Sequence, residues 1–134
     1  MYDALIWPNI RKALVLMVDG EEHAGSVIYA AQHMEVDANG ISHIPLALFL
    51  DSAGGNIGYV DRADRALIEV YAPGELAKKI LESIITSLCG DGIEGPDVFF
   101  DSIQCIVPPT ESPYPQDTLN LATAVIETIV RPLD

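Results

Sequence analysis

Residues 65–88 constrain the fold of this chain most. From Arg65 to Ala72 the sequence alternates, with Ala66, Ile68 and Val70 facing one way and Leu67, Glu69 and Tyr71 the other. Period two with dissimilar faces is the pattern of a half-buried strand. Pro73-Gly74 then breaks the chain, and the period changes. Over 74–88, Ala77, Ile80, Leu81, Ile84 and Leu88 recur at helical spacing. Glu75 stands four residues before Lys79, in the favourable order for a helix surface pair. It also lies at the positive end of that helix. A strand turning straight into an amphipathic helix lays the helix against a sheet.

The flanking segments extend this unit. Ile6, Ile10, Ala13, Leu14 and Met17 share one face of a helix expected over 3–18, with Asp3 as a candidate cap and Gly20 as a stop. Pro8 is awkward inside that helix, so its regular part is expected to start near Pro8. The stretch 19–41 has no clear period. Val27–Ala31 suits a short helix or strand, and Asp37-Ala38-Asn39-Gly40 is a turn signal. The apolar run 44–50 suits a buried strand, with Pro45 at its start. Residues 51–65 then read as a long loop. A strand is expected over 97–107, with Ile103, Cys105 and Val107 on one face. The four-proline segment 108–117 reads as a stiff extended loop outside any regular ladder. Residues 119–130, rich in β-branched side chains, form the last strand. The expectation is one α+β domain over 1–134, with a mixed or antiparallel sheet of about four to five strands and two helices on one face.

Composition narrows function more than fold. Twenty acidic and seven basic residues give a formal charge of −13. The longest basic runs are the pairs Arg11-Lys12 and Lys78-Lys79. Duplex DNA and anionic lipid are gripped by clustered cations, so neither suits this chain as a tight ligand. Apolar residues at 49% supply a core without staples. Two cysteines, Cys89 and Cys105, are too few for a disulfide framework and lack zinc spacing, so both are expected as thiols. No apolar stretch is long enough to span a membrane.

The residues that carry chemistry do not converge. His23, His33 and His43 are ten apart, which puts no two on one helical turn. The segment Asp61-Arg62-Ala63-Asp64-Arg65 mixes both signs and reads as local ion pairs rather than paired catalytic carboxylates. Gly54-Gly55-Asn56-Ile57-Gly58 lacks the Lys-Ser/Thr of a phosphate loop. No catalytic residue, metal ligand or cofactor is assigned. The two long loops are instead expected to touch neighbouring subunits. Tyr59, Arg62 and Arg65 are the candidates in the first, and Pro113, Tyr114 and Pro115 in the second.

The order of elements over 43–133 resembles the tail terminator proteins of long-tailed, siphovirus-type phages. It has the apolar strand His43–Leu50, a Gly-Gly loop, and Tyr59-Val60-Asp61-Arg62-Ala63-Asp64-Arg65 leading into Ala66–Pro73. A helix with Ala77, Leu81 and Leu88 inward follows, then Gly95-Pro96, a strand, a Pro-rich loop and a strand ending Val130-Arg131-Pro132. Many proteins of actinobacterial phages look similar. The resemblance implies a virion protein, assembled in the host cytoplasm as a ring of about six copies. Such a ring caps the head-proximal end of the tail tube, meets the head connector and lets DNA pass. Carboxylates in the bore would repel phosphate. Asp51, Asp61, Asp64, Glu111 and Asp117 are the candidates. The alternatives are another head–tail joining protein, an acidic module that mimics DNA, or a small enzyme built from distant residues such as Asp61, His43 and Cys105.

Overall fold

The computed structural model describes residues 8–34, 36–37, 40–41, 43–57, 61–113 and 119–131. Its elements are α1 (Ile10–Val18), β1 (Glu22–His23), β2 (Ser26–Val27), β3 (Tyr29–Ala31), β4 (Val36–Asp37) and β5 (Gly40–Ile41). They continue with β6 (Leu46–Ile57), β7 (Arg62–Pro73), α2 (Leu76–Leu88), β8 (Gly90–Gly95), β9 (Val98–Pro113) and β10 (Leu119–Val130). The class is α+β, as expected. The sheet is larger than expected: six strands in the order β3-β6-β7-β10-β9-β8, antiparallel except for β3 beside β6. Two small ribbons, β1–β2 and β4–β5, are separate. In the second, Asp37 sits opposite Gly40, as the turn signal requires.

One face of the sheet carries both helices. The inward residues Ala47 and Phe49 of β6, Ala66, Ile68, Val70 and Ala72 of β7, and Ala122, Ala124 and Ile126 of β10 form one core. Leu14 and Val18 of α1 and Ile80, Leu81 and Ile84 of α2 close it. The alternation over 65–72 therefore divides as the sequence divides it. At about 25 cal/mol per Å² of apolar surface removed from water, this layer is the main source of stability. A smaller cluster of Leu46, Leu48 and Tyr71 forms on the other face, with Met34 and Leu121 against it.

Two loop expectations are corrected. Residues 51–65 are mostly strand: β6 runs on to Ile57 and β7 starts at Arg62. The pairing skips from Ser52–Arg65 to Asn56–Ala63, so three residues of β6 bulge outwards. Gly54 and Gly55, both at positive φ, make that bulge possible. Residues 108–113 are likewise strand, since β9 runs to Pro113 and pairs with β10 at Thr110, Glu111 and Ser112. Register shifts absorb the prolines: Val107 faces Val125 and Thr110 faces Thr123, leaving Pro108 and Pro109 to span a single β10 residue. Another shift at Ile106 turns Val107 outwards, away from the face of Ile103 and Cys105.

The helix boundaries also move. α1 starts at Ile10, and Asn9 is its cap, its side chain accepting from the Lys12 backbone N–H at 3.1 Å. Asp3 and Trp7 lie outside the described residues. Pro8 precedes the cap, so its missing donor costs the helix nothing. Helix α1 ends at Val18 with Gly20 at positive φ just beyond. Among the described residues, no helix is long and apolar enough to cross a membrane.

Candidate functional site

The sequence-nominated arginines meet in one cleft. It has a volume of about 260 Å³ and lies where the first turn of α1 leaves the β6–β7 end of the sheet uncovered. Arg11, Asp51, Arg62, Asp64 and Arg65 line it, beside Pro8, Asn9 and Ala66. Three of the chain's seven basic residues are thus in one place. Two aspartates of the lining and Glu127 beside it balance the three arginines, so the cluster is formally neutral in a chain of −13.

Each arginine is held by a carboxylate. Arg62 Nε donates to Asp64 Oδ1 at 2.9 Å. Arg65 Nε donates to Glu127 Oε2 at 3.1 Å, directly across the β7–β10 ladder. The bulge shapes this second pair: a Cβ on Gly54 would strike the Arg65 guanidinium at 2.6 Å. The glycine therefore gives Arg65 the space to lie across β6. Arg11 is held more loosely, its Nε 3.8 Å from Asp51 Oδ1, and the Asp51 side chain is 88% exposed. Exposed pairs of this kind contribute about 0–1 kcal/mol. They orient the arginines more than they stabilise the fold.

The other nominated residues scatter. Asp61 is exposed at the start of β7. Glu111 does not stand free: its Oε2 accepts from the Lys78 backbone N–H at 3.2 Å, and its Oε1 from Asn120 Nδ2 at 2.9 Å. Glu111 thereby supplies the N-terminal acceptor for α2 that Glu75 does not, since Glu75 makes no side-chain capping bond. Pro113 is exposed at the end of β9. Tyr59, Tyr114, Pro115 and Asp117 lie outside the described residues. Arg11, Glu127, Asn120 and Ser83 were not singled out from sequence, because only the strand register and helix packing reveal their partners.

His23 proves to be buried, at 4% exposure. Its Nδ1 lies 2.9 Å from Ser83 Oγ and its Nε2 3.2 Å from Glu21 Oε1. A Ser–His–Glu chain has the members of a hydrolytic triad, but the ring nitrogens are reversed, with Ser83 on Nδ1 and Glu21 on Nε2. Ser83 also sits mid-way along α2, where backbone N–H groups are committed to the helix ladder and cannot form an oxyanion hole. We read the trio as a rivet between the β1–β2 ribbon and α2. His23→Ala is expected to cost about 1–3 kcal/mol, because it removes a buried side chain together with its hydrogen bonds to the half-buried Ser83 and the exposed Glu21. Limited proteolysis should then cut the 20–28 ribbon first; unchanged stability and cleavage would contradict the rivet.

Cys89, at the C-terminal cap of α2, and Cys105, on β9, are thiols and interact with each other. Burial pushes both above the ordinary thiol range. The neighbouring Cys105 pushes Cys89 further, and backbone contacts offset part of each rise. A raised pKa means less thiolate at any pH below it. Alkylation at about pH 8 should therefore be several-fold slower in the folded chain than in denaturant, and should accelerate as the pH passes the ordinary thiol value. Equal rates in both states would contradict this placement. Among the described residues, no three His, Cys, Asp or Glu side chains group as a metal site. Compared with models of known protein families and with curated protein sequences, the chain matches none.

Proposed function

We propose that this chain is a tail terminator: a structural virion protein whose copies form a ring at the head-proximal end of a phage tail tube, with DNA passing through. The observation that carries the reading is the order of elements from β6 to β10. A strand runs through Pro73-Gly74 into α2, then a long β9–β10 pair returns beside it, as in the family the sequence resembles. Tube protein on one side and head connector on the other are the partners this role requires.

Charge supports the role. Residues 80–130 hold eight acidic and no basic side chains. A surface this negative lets duplex DNA pass without adhering. Of the acidic candidates, Asp61 and Asp51 remain exposed, whereas Asp64 and Glu111 are engaged by Arg62 and by the start of α2. The uncovered sheet face supports assembly. Leu50, Leu67, Val125 and Val107 lie in register across four strands there, a row of half-buried apolar side chains ending in the exposed Val107, which neither helix of the described residues covers. Apolar side chains left partly open to solvent in one row offer a contact surface to a neighbour.

Tube polymerisation tests the reading. A phage tail tube protein should form shorter tubes in the presence of this chain, each with added density at one end by electron microscopy. Tubes of unaltered length with bare ends would overturn it. The acidic run also favours a second reading, a module that binds a basic protein, for which the same mixture would show no effect on tubes.

A further inference from the structure

We infer that Cys89 and Cys105 are an oxidisable pair that closes into an intrachain disulfide, tying the end of α2 to β9. This pairing does not depend on the ring and holds whatever the chain assembles with.

The strand register brings the two residues together. Gly90 opens β8 and faces Ile103 of β9. Cys89 therefore stands one residue beyond the last ladder pair, at the level of Gln104, and Cys105 is its diagonal neighbour. Facing strands at that offset put the two Cα atoms about 6 Å apart. A disulfide spans about 4.4–6.8 Å between Cα atoms. Strict alternation along a strand would turn the two side chains to opposite faces. Cys89 escapes it, because it is the cap of α2 and its backbone N–H donates to Ile85 O at 3.0 Å. Both side chains pack against the same core. The Cys89 thiol also reaches the Cys105 backbone, and the two sulfurs are close enough for their charges to interact.

The surroundings leave room for the bond. The Cys105 thiol gives up only a weak hydrogen bond, donated to Val107 O at 3.3 Å. The next residue, Ile106, is where the ladder slips from Cys105–Ile126 to Val107–Val125. Such a bulge lets a strand re-aim a side chain. Neither cysteine is fully buried, so a small oxidant has access to both. The loop that the bond closes holds β8, an edge strand paired on one side only. Closure fastens that edge.

The chemistry needs a two-electron oxidant, and a small disulfide such as oxidised glutathione supplies it. One protein thiolate attacks a sulfur of the oxidant, releasing one glutathione thiolate and leaving a mixed disulfide. The second protein thiolate attacks the protein sulfur of that mixed disulfide, forming the Cys89–Cys105 bond and releasing the other glutathione. Two protein thiols and one oxidant disulfide become one protein disulfide and two glutathione thiols. A reducing compartment keeps the pair open, and an oxidising one closes it.

The test is equilibration of the intact, folded chain in glutathione buffers of graded oxidised-to-reduced ratio, with remaining thiols alkylated and the chain weighed by mass spectrometry. Both thiols should disappear together, leaving a chain two hydrogens lighter and unlinked to any other. The native chain should reach half closure in a buffer about 10- to 100-fold less oxidising than the chain in urea requires. The closed chain should unfold about 5–10 °C above the reduced one, and dithiothreitol should reverse the gain. Cys89→Ser and Cys105→Ser, each verified as folded by circular dichroism, should stop at the mixed disulfide. Lasting mixed disulfides or covalent dimers of the wild-type chain would overturn the pairing. So would closure no easier in the native chain than in urea, or a bridge that lowers the unfolding temperature, since the fold would then have to move to make it.

Discussion

Gly55→Val is expected to destabilise the fold by about 3 kcal/mol, combining left-handed backbone strain with a steric clash. Gly55 sits at φ +85° within the β6 bulge. An added Cβ there runs into the carbonyl oxygen of Ala63 on the paired strand. Backbone on an inner strand cannot step aside, because β7 is also held by β10 along its whole length. Gly54→Ala should cost less. Gly54, at φ +108°, also carries backbone strain on substitution, but its new Cβ meets the Arg65 side chain, which can yield at the expense of the Arg65–Glu127 pair. Urea unfolding measures both; a fall in midpoint with an unchanged slope is a stability change in the native fold. If Gly55→Val lies within about 0.5 kcal/mol of wild type, the bulge is not where the pairing places it.

Phe49→Ala is expected to cost about 3–5 kcal/mol. Phe49 is fully buried, stands opposite Ile68 in the β6–β7 ladder, and belongs to the core that receives Leu14 and Val18 of α1. Truncation leaves a cavity beneath α1 that neighbouring strands cannot fill. The loss is a large fraction of the roughly 5–15 kcal/mol that holds a domain of this size. The exposed Leu16 on the same helix is the control, and Leu16→Ala should change stability by no more than about 0.5 kcal/mol. A cost below about 1.5 kcal/mol at Phe49 would mean that α1 does not seal this face.

The parts of the fold that follow one period were legible. β10 occupies 119–130 as read, the faces of β7 divide as the alternation indicates, and α2 buries Ala77, Ile80, Leu81, Ile84 and Leu88. The misreadings share one cause. In sequence, glycine and proline signal the ends of strands, whereas this sheet uses them inside strands. Gly54 and Gly55 permit a bulge, and Pro108 and Pro109 occupy a point where β9 slips past β10. A bulge adds a residue without adding to the period, so alternation fails there and Val107 changes face. The 19–41 stretch was opaque because strands of two or three residues are too short to show a period. The candidate site was half visible. Arg62 and Arg65 stood out as charges in a sparse sequence, but Arg11 is about fifty residues away and reaches them only through the packing of α1 on β6. Nothing in a single sequence marks His23 as the partner of Ser83.

The central claim is that copies of this chain close into a ring, and its most direct measurement is the mass of the assembled species. Light scattering on the purified chain, alone and with tube protein from the same genome, should give an assembly of about six copies in at least one of the two conditions. A chain that stays a monomer or dimer in both, at every concentration, would contradict the account.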